Sequence, residues 1–287
     1  MAERYMAPQF RQALFECLAQ MTPHSKIIGG GTDLILQLNQ KTIKPDALLY
    51  PGFVPGISGV SQSGNVITVG AMTNMTDLAR HPLILQSNRA LADAAAHVGS
   101  VQIRNKATIG GNVGNASPAG DLLVPLWLLD AMAEIAGPDG TRTVPINEVL
   151  AGIGKTTLKY NEILTAFSWK LPLDGTATAY KKLGSRGEVT ISRVGLAVMA
   201  TMHGGVVSSI KMMLGAVAPT PVRATVAEGC LLGTALDEAS LNRAAQALSD
   251  YILQINDRPN RFYKAHASMG VLLDVMAQLK QRLQNGE

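Results

Sequence analysis

Apolar residues recur every three or four positions at Phe10, Leu14, Leu18 and Met21, with Pro8 just ahead, and this spacing predicts an opening helix. Residues 25–28 then read as a strand, 34–38 as a helix and 47–50 as a second short strand, closed by the breakers Pro51-Gly52 and Pro55-Gly56. Beyond Ile57 the texture changes. Gly64-Asn65 turns into the alternating Val66-Ile67-Thr68-Val69, and helical spacing follows over 76–80 and 83–97. Residues 121–131 read as an apolar helix, 133–136 and 141–144 as a hairpin about Gly137-Pro138-Asp139-Gly140, and 162–170 as a strand ending at Pro172-Leu173-Asp174-Gly175. In the last third, 177–183, 191–203 and 206–216 predict an antiparallel meander with Gly204-Gly205 as one turn, and helices follow over 237–253 and 261–283. The second of these helices sets Met269, Leu272, Leu273, Met276 and Leu279 on one face, a core or interface stripe. The breaks divide an α+β chain into modules of 1–56, 57–173 and 174–287.

Two glycine clusters interrupt this pattern. Lys26-Ile27-Ile28-Gly29-Gly30-Gly31-Thr32-Asp33 sits between a strand and a helix, and Ala107-Thr108-Ile109-Gly110-Gly111-Asn112 appears much later in the chain. Glycine permits positive φ and lets the main chain approach a pyrophosphate to hydrogen-bond distance, while Thr32 adds a hydroxyl. Free N–H groups at a helix start favour an anion. A Gly-Gly pair alone can be a tight turn. The second cluster, however, is followed by Asn112, Asn115, Ser117 and Asp121, more small polar groups than a turn needs. Two cradles point to a diphosphate held from both sides.

Composition narrows the class. A chain of 287 residues that is 47% hydrophobic buries ample core without staples. Cys17 and Cys230 are far apart with no partner at metal-ligand spacing, and they read as core thiols in a reducing compartment. The net charge of +4 and a pI near 9.1 raise the question of nucleic acid, but the basic residues are dispersed and aromatics are 5%, so no nucleic-acid role is expected. No run reaches the roughly 18 apolar residues of a membrane span. Glu3 and Arg4 before Pro8 form no signal-peptide core, which gives a cytoplasmic expectation. Gly152-Ile153-Gly154-Lys155-Thr156-Thr157 imitates a triphosphatase loop, but its first glycine position is Val149. Gly29 and Gly31 begin a Rossmann fingerprint whose third glycine position is Leu34. The five histidines are scattered without zinc spacing, and no Gly-x-Ser-x-Gly elbow occurs. What remains is ligand binding by backbone and small polar groups, a pattern suited to a cofactor that brings its own chemistry.

At these residues the chain resembles the FAD-binding medium subunit of the molybdenum hydroxylases, the group of xanthine dehydrogenase and carbon monoxide dehydrogenase. The resemblance runs from the opening 5–8 through both glycine clusters, Gln102-Ile103-Arg104-Asn105, Ala116-Ser117-Pro118, Asp121, Glu162-Ile163-Leu164 and Ala179-Tyr180-Lys181. It implies a vanillyl-alcohol-oxidase-type (PCMH-like) FAD-binding fold with a C-terminal domain of antiparallel sheet plus helices. By the same resemblance, Lys26, Ile27, Ile28, Gly29, Gly30, Gly31, Thr32 and Asp33 would hold the diphosphate and ribityl of non-covalent FAD. Thr108, Ile109, Gly110, Gly111 and Asn112 would approach from the second module. Asp121 would bond the cofactor's polar portion, Ile163 would pack on it, and Lys181 would reach the isoalloxazine. Gly29 stands where the family commonly has alanine, and Val113-Gly114-Asn115 is looser than its usual apolar pair.

The resemblance also implies an electron-exit subunit. Molybdopterin and 2Fe–2S clusters would reside on a large and a small partner subunit, with NAD or another acceptor downstream. A stand-alone flavin oxidoreductase of the same fold would need a substrate-facing base, for which only His97 offers itself near the second cluster. A non-redox nucleotide-binding scaffold would keep the glycines without needing Lys181.

Overall fold

A computed structural model describes residues 4–187 and 189–285. The chain opens with β1 (Arg4–Met6), α1 (Arg11–Ala19), β2 (Lys26–Ile27), α2 (Leu34–Asn39) and β3 (Ala47–Leu49), and continues through β4 (Val60–Ser63) and β5 (Val66–Gly70). Short helices follow: α3 (Met75–Arg80), α4 (Pro82–Ser87), α5 (Arg89–Ala96), α6 (Val101–Arg104), α7 (Ile109–Gly114) and α8 (Leu123–Leu128). The middle then returns to strand with β6 (Met132–Gly137), β7 (Gly140–Pro145), β8 (Leu150–Gly152), β9 (Lys155–Thr156) and β10 (Ile163–Lys170). The end consists of β11 (Thr176–Leu183), β12 (Val194–His203), β13 (Val206–Gly215), β14 (Val222–Arg223), α9 (Thr225–Leu231), α10 (Glu238–Ile255) and α11 (Arg261–Asn285).

These elements form two compact units, and the chain passes between them more than once. One comprises Met1–Leu78, Ser100–Ala116 and Asp130–Lys170; the other comprises Ala79–Gly99, Ser117–Leu129 and Leu171–Glu287. In the first, β1, β3 and β2 make a parallel sheet in that order, and β4-β5-β10-β6-β7 make a five-stranded sheet with antiparallel pairing. Leu14 and Leu18 of α1 pack with Met6, Ala47, Leu49, Ile57 and Ile163 in one apolar cluster. Burying these side chains contributes about 1.5–3 kcal/mol each. The triphosphatase-like stretch is only the β8–β9 hairpin, whose Gly152 and Gly154 have φ of 140° and 65°.

In the second unit, β11, β12 and β13 form the antiparallel meander read from the sequence, and β14 adds a fourth strand that the sequence reading did not include. Successive strand residues face opposite ways. Ala177 and Ala179, Leu196, Val198 and Ala200, and Ile210, Met212 and Leu214 therefore share one face, and they join α10 and α11 in a single core. On α11, Leu272, Met276 and Leu279 are fully buried, but Leu273, placed on the same face by spacing alone, is 39% exposed. The helix expected over 83–97 is broken at Asn88, whose φ of −158° ends α4 while its side chain accepts the Leu91 N–H and caps α5. Cys17 and Cys230 are half-buried against the two cores rather than inside them. Burial pushes the Cys17 thiol above its ordinary value, and Glu16 adds to the effect.

Glu162 precedes β10 and is buried against Arg142, which donates two hydrogen bonds at 3.2 and 2.9 Å, with the Lys159 N–H at 2.9 Å. Burial works to raise its carboxyl, but these donors outweigh burial and hold it below its ordinary value. A depressed carboxylate contributes stability that is fully present above the unfolded value of about 4.3 and is lost as pH falls through the lower folded value. Glu162→Gln is expected to cost about 1–3 kcal/mol at pH 7. In urea unfolding, the gap from the parent protein should narrow as the pH drops below about 4.

Candidate functional site

The two glycine loops meet inside the first unit. A Cβ on Gly30 would lie 1.8 Å from the carbonyl oxygen of Lys106, and one on Gly29 would lie 2.7 Å from the Thr108 hydroxyl. No side chain fits at Gly30, because the obstacle is backbone. Gly31 has a φ of 72°, in the left-handed region that glycine tolerates best. The second loop is anchored on the turn just after β5: the Ile109 N–H donates to Thr73 at 3.0 Å, the Gly110 N–H to Ala71 at 2.8 Å, and a Cβ on Gly110 would stand 2.8 Å from Ala71. Thr108 caps α7 by accepting the Gly111 N–H at 3.1 Å. Gly111 is exposed, and an added Cβ would meet only the Thr108 hydroxyl, at 3.0 Å.

The loops therefore differ in what they offer a ligand. In the second, the N–H groups of Ile109, Gly110, Gly111 and Asn112 are all spent within the protein. In the first, Ile28 donates to Leu49, but among the described residues the N–H groups of Gly29, Gly30, Gly31 and Thr32 have no protein acceptor. The second loop instead holds one orphan: Asn112 Oδ1 is buried without a hydrogen-bond partner. A buried acceptor in that state costs about 1–3 kcal/mol until a donor reaches it. Four free donors, a buried acceptor and glycines with no room for side chains fit a phosphate-bearing, hydroxyl-bearing cofactor.

The other sequence candidates are distributed as follows. Lys26 and Asp33 are exposed, Ile27, Ile28 and Thr32 are half-buried, and Asp33 accepts a long bond from Asn115 at 3.5 Å. Ile163 is 5% exposed and belongs to the apolar cluster of the first unit. Asp121 and Lys181 belong to the second unit. Asp121 is buried, and three protein donors already hold its carboxylate: the Tyr180 hydroxyl at 2.8 Å, the Ser192 hydroxyl, and Lys182 Nζ at 2.6 Å. Lys181 points to solvent on β11, while its neighbour Lys182 is the buried ammonium, which also donates to the Thr190 carbonyl at 3.2 Å. Burial pushes the Tyr180 phenol well above its ordinary value, and the Asp121 charge adds to this. Sequence reading missed Lys182, Tyr180 and Ser192 as a group. The signal available was strand parity, since Tyr180 and Lys182, two apart, share a face.

Comparisons with known proteins bear on this geometry. Residues 1–172 match a family described as the FAD binding domain in molybdopterin dehydrogenase, and residues 178–278 match one described as the CO dehydrogenase flavoprotein C-terminal domain. The nicotinate dehydrogenase FAD-subunit of Eubacterium barkeri is 31% identical over 265 residues, spanning 91% of this chain and 90% of its own length. The carbon monoxide dehydrogenase medium chain of Hydrogenophaga pseudoflava is 30% identical over 85% of this chain and 84% of its own. Among solved structures, the carbon monoxide dehydrogenase from Hydrogenophaga pseudoflava that lacks the Mo-pyranopterin moiety has a TM-score of 0.89 at 29% identity, covering 98% of both chains. Quinoline 2-oxidoreductase from Pseudomonas putida 86 has a TM-score of 0.87 at 25% identity, covering 97% of this chain and 98% of that one.

The two glycines should separate packing from ligand contact. Gly30→Ala forces backbone apart and should lower the melting temperature of the ligand-free protein, whereas Gly111→Ala should leave it nearly unchanged. In the second unit, Lys182→Met strands a buried carboxylate and should cost about 3–5 kcal/mol in denaturant unfolding. Lys181→Met, at an exposed position, should stay within about 0.5 kcal/mol.

Proposed function

This chain belongs to the FAD-binding medium subunits of the molybdenum hydroxylases, and from that premise we propose that it passes electrons from iron–sulfur clusters through FAD to NAD⁺ or another acceptor. Bound FAD supplies a group that accepts electrons singly and releases them in pairs. The chain's own residues hold that group in place. Gly29, Gly30, Gly31 and Thr32 donate their free N–H groups to the diphosphate, and Asn112 Oδ1 accepts from a cofactor hydroxyl. The free donors of the first loop, opposite a second loop whose own donors are spent, are the observation that carries this reading.

Asp121 and Ile163 complete the proposed set. The positive group proposed toward the reduced ring remains Lys181, whose side chain is exposed on β11. Lys182, by contrast, is paired with the Asp121 carboxylate, so the two charges largely cancel beyond the pair.

The partners proposed are a molybdopterin-binding large subunit and a 2Fe–2S small subunit. A 2Fe–2S site held by four thiolates exceeds the two cysteines of this chain, Cys17 and Cys230, so the clusters must come from another polypeptide. Both cysteines are free, which suits the cytoplasm. Among the described residues no helix is long and apolar enough to cross a membrane.

The purified chain should be yellow and release FAD on denaturation, and NADH should bleach it while simple organic substrates leave it unchanged. Gly111→Val should lose the flavin with circular dichroism unchanged. Full FAD content in that variant would contradict the loop assignment, and a flavin inert to NADH and to other soluble acceptors would contradict the electron route.

A further inference from the structure

We propose that a cationic, aromatic face of the second unit, at the start of α11, docks a carboxylate-rich segment of a partner polypeptide. The residues are Arg193, just before β12, and Arg258, Arg261, Phe262, Tyr263 and Lys264 around the first turn of α11. None belongs to the set proposed to hold FAD, so the inference stands apart from the cofactor reading.

Cations and rings hold this face together. The Arg193 guanidinium lies 5.5 Å from the centre of the Tyr263 ring, and that of Arg261 lies 5.0 Å from the centre of the Phe262 ring. Lys264 is buried, and its ammonium donates to the carbonyl of Ala216, a residue whose φ is 63°. Burial pushes that ammonium below its ordinary value, and the charges of Arg258 and Arg193 act in the same direction. Among the described residues, no carboxylate bonds to any of these four cations. The one acid of the turn, Asp257, is exposed and is not among the charges acting on Lys264.

Buried cations are ordinarily paired, and the start of a helix favours negative charge. Here the first turn of α11 holds Arg261 and Lys264 and no acid. Asn256 adds an unmet donor just before it: its oxygen accepts the Arg258 N–H at 3.0 Å, and its Nδ2 is buried without an acceptor. Donors and positive charge collect at this turn without acceptors, so the complementary charge comes from outside the chain. The aromatic residues decide between a small anion and a polypeptide. A small-molecule pocket encloses most of its ligand. Phe262 is instead 65% exposed and Tyr263 47%, and beside Arg193 both Ile191 and Leu183, whose carbonyl accepts the Arg193 N–H, are exposed as well. Arginine among open aromatic side chains is the composition enriched at protein interfaces, and carboxylates on the partner complement it.

The test titrates the full chain into a fluorescent short peptide of alternating glutamate and leucine and follows anisotropy. Arg258→Glu combined with Arg261→Glu should weaken binding about tenfold. Lys155→Glu combined with Lys170→Glu makes the same change of net charge at exposed positions elsewhere, and should alter binding by less than about twofold. Phe262→Ser changes no charge and should weaken binding about fivefold. All three variants should keep the parent melting temperature. Equal losses in the two charge-reversed proteins would overturn the proposal, because net charge alone would then attract the peptide. A parent chain that does not bind the peptide would overturn it too. So would displacement of the peptide by inorganic diphosphate together with full binding by Phe262→Ser, which would make the face a site for a small anion.

Discussion

The close approach of Gly30 to the carbonyl of Lys106 is the contact on which the candidate site depends. Two stretches of backbone remote in sequence touch where a methyl group would not fit, and the contact fixes one loop against the other. Thr108 serves both sides, facing Gly29 while capping α7. With the loops already seated, a ligand has less chain to order when it binds. The glycines therefore do two jobs. Gly30 and Gly110 allow backbone packing, whereas Gly111 stands open.

The second unit is organised about a buried charge pair. Asp121 and Lys182 are each less than a tenth exposed, and desolvating two charges is costly unless their remaining bonding capacity is met. Tyr180, Ser192 and the Thr190 carbonyl meet it. This holds the segment before β12 to the chain near Asp121, and it accounts for β12 beginning at Val194 rather than at Ile191. Ile191, between the two pinned residues, is left 79% exposed.

Membership in the medium-subunit family gives the glycine loops of the first unit a purpose. These loops supply free donors and an unpaired acceptor, whereas the ion pair of the second unit serves the packing of that unit. Neither unit contains a metal-binding cluster of three histidine, cysteine or carboxylate side chains among the described residues. The protein's contribution is position and electrostatics, and the redox chemistry is the cofactor's.

The sequence by itself determined the α+β alternation, the hairpin of β6 and β7, the meander of β11 to β13 and the two glycine loops. Each is written in local periodicity or in turn residues whose backbone preference does not depend on the rest of the chain. Resemblance carried the family. Tertiary structure decided which glycine packs and which faces outward, because that turns on Lys106 and Ala71, which no local pattern links to Gly30 and Gly110. It also decided between adjacent lysines. Lys181 and Lys182 are equivalent as composition, but strand parity sends one to solvent and one inward, and only the position of Asp121 shows which. The break at Asn88 was likewise hidden, since helical spacing runs through it and only the cap geometry reveals two helices.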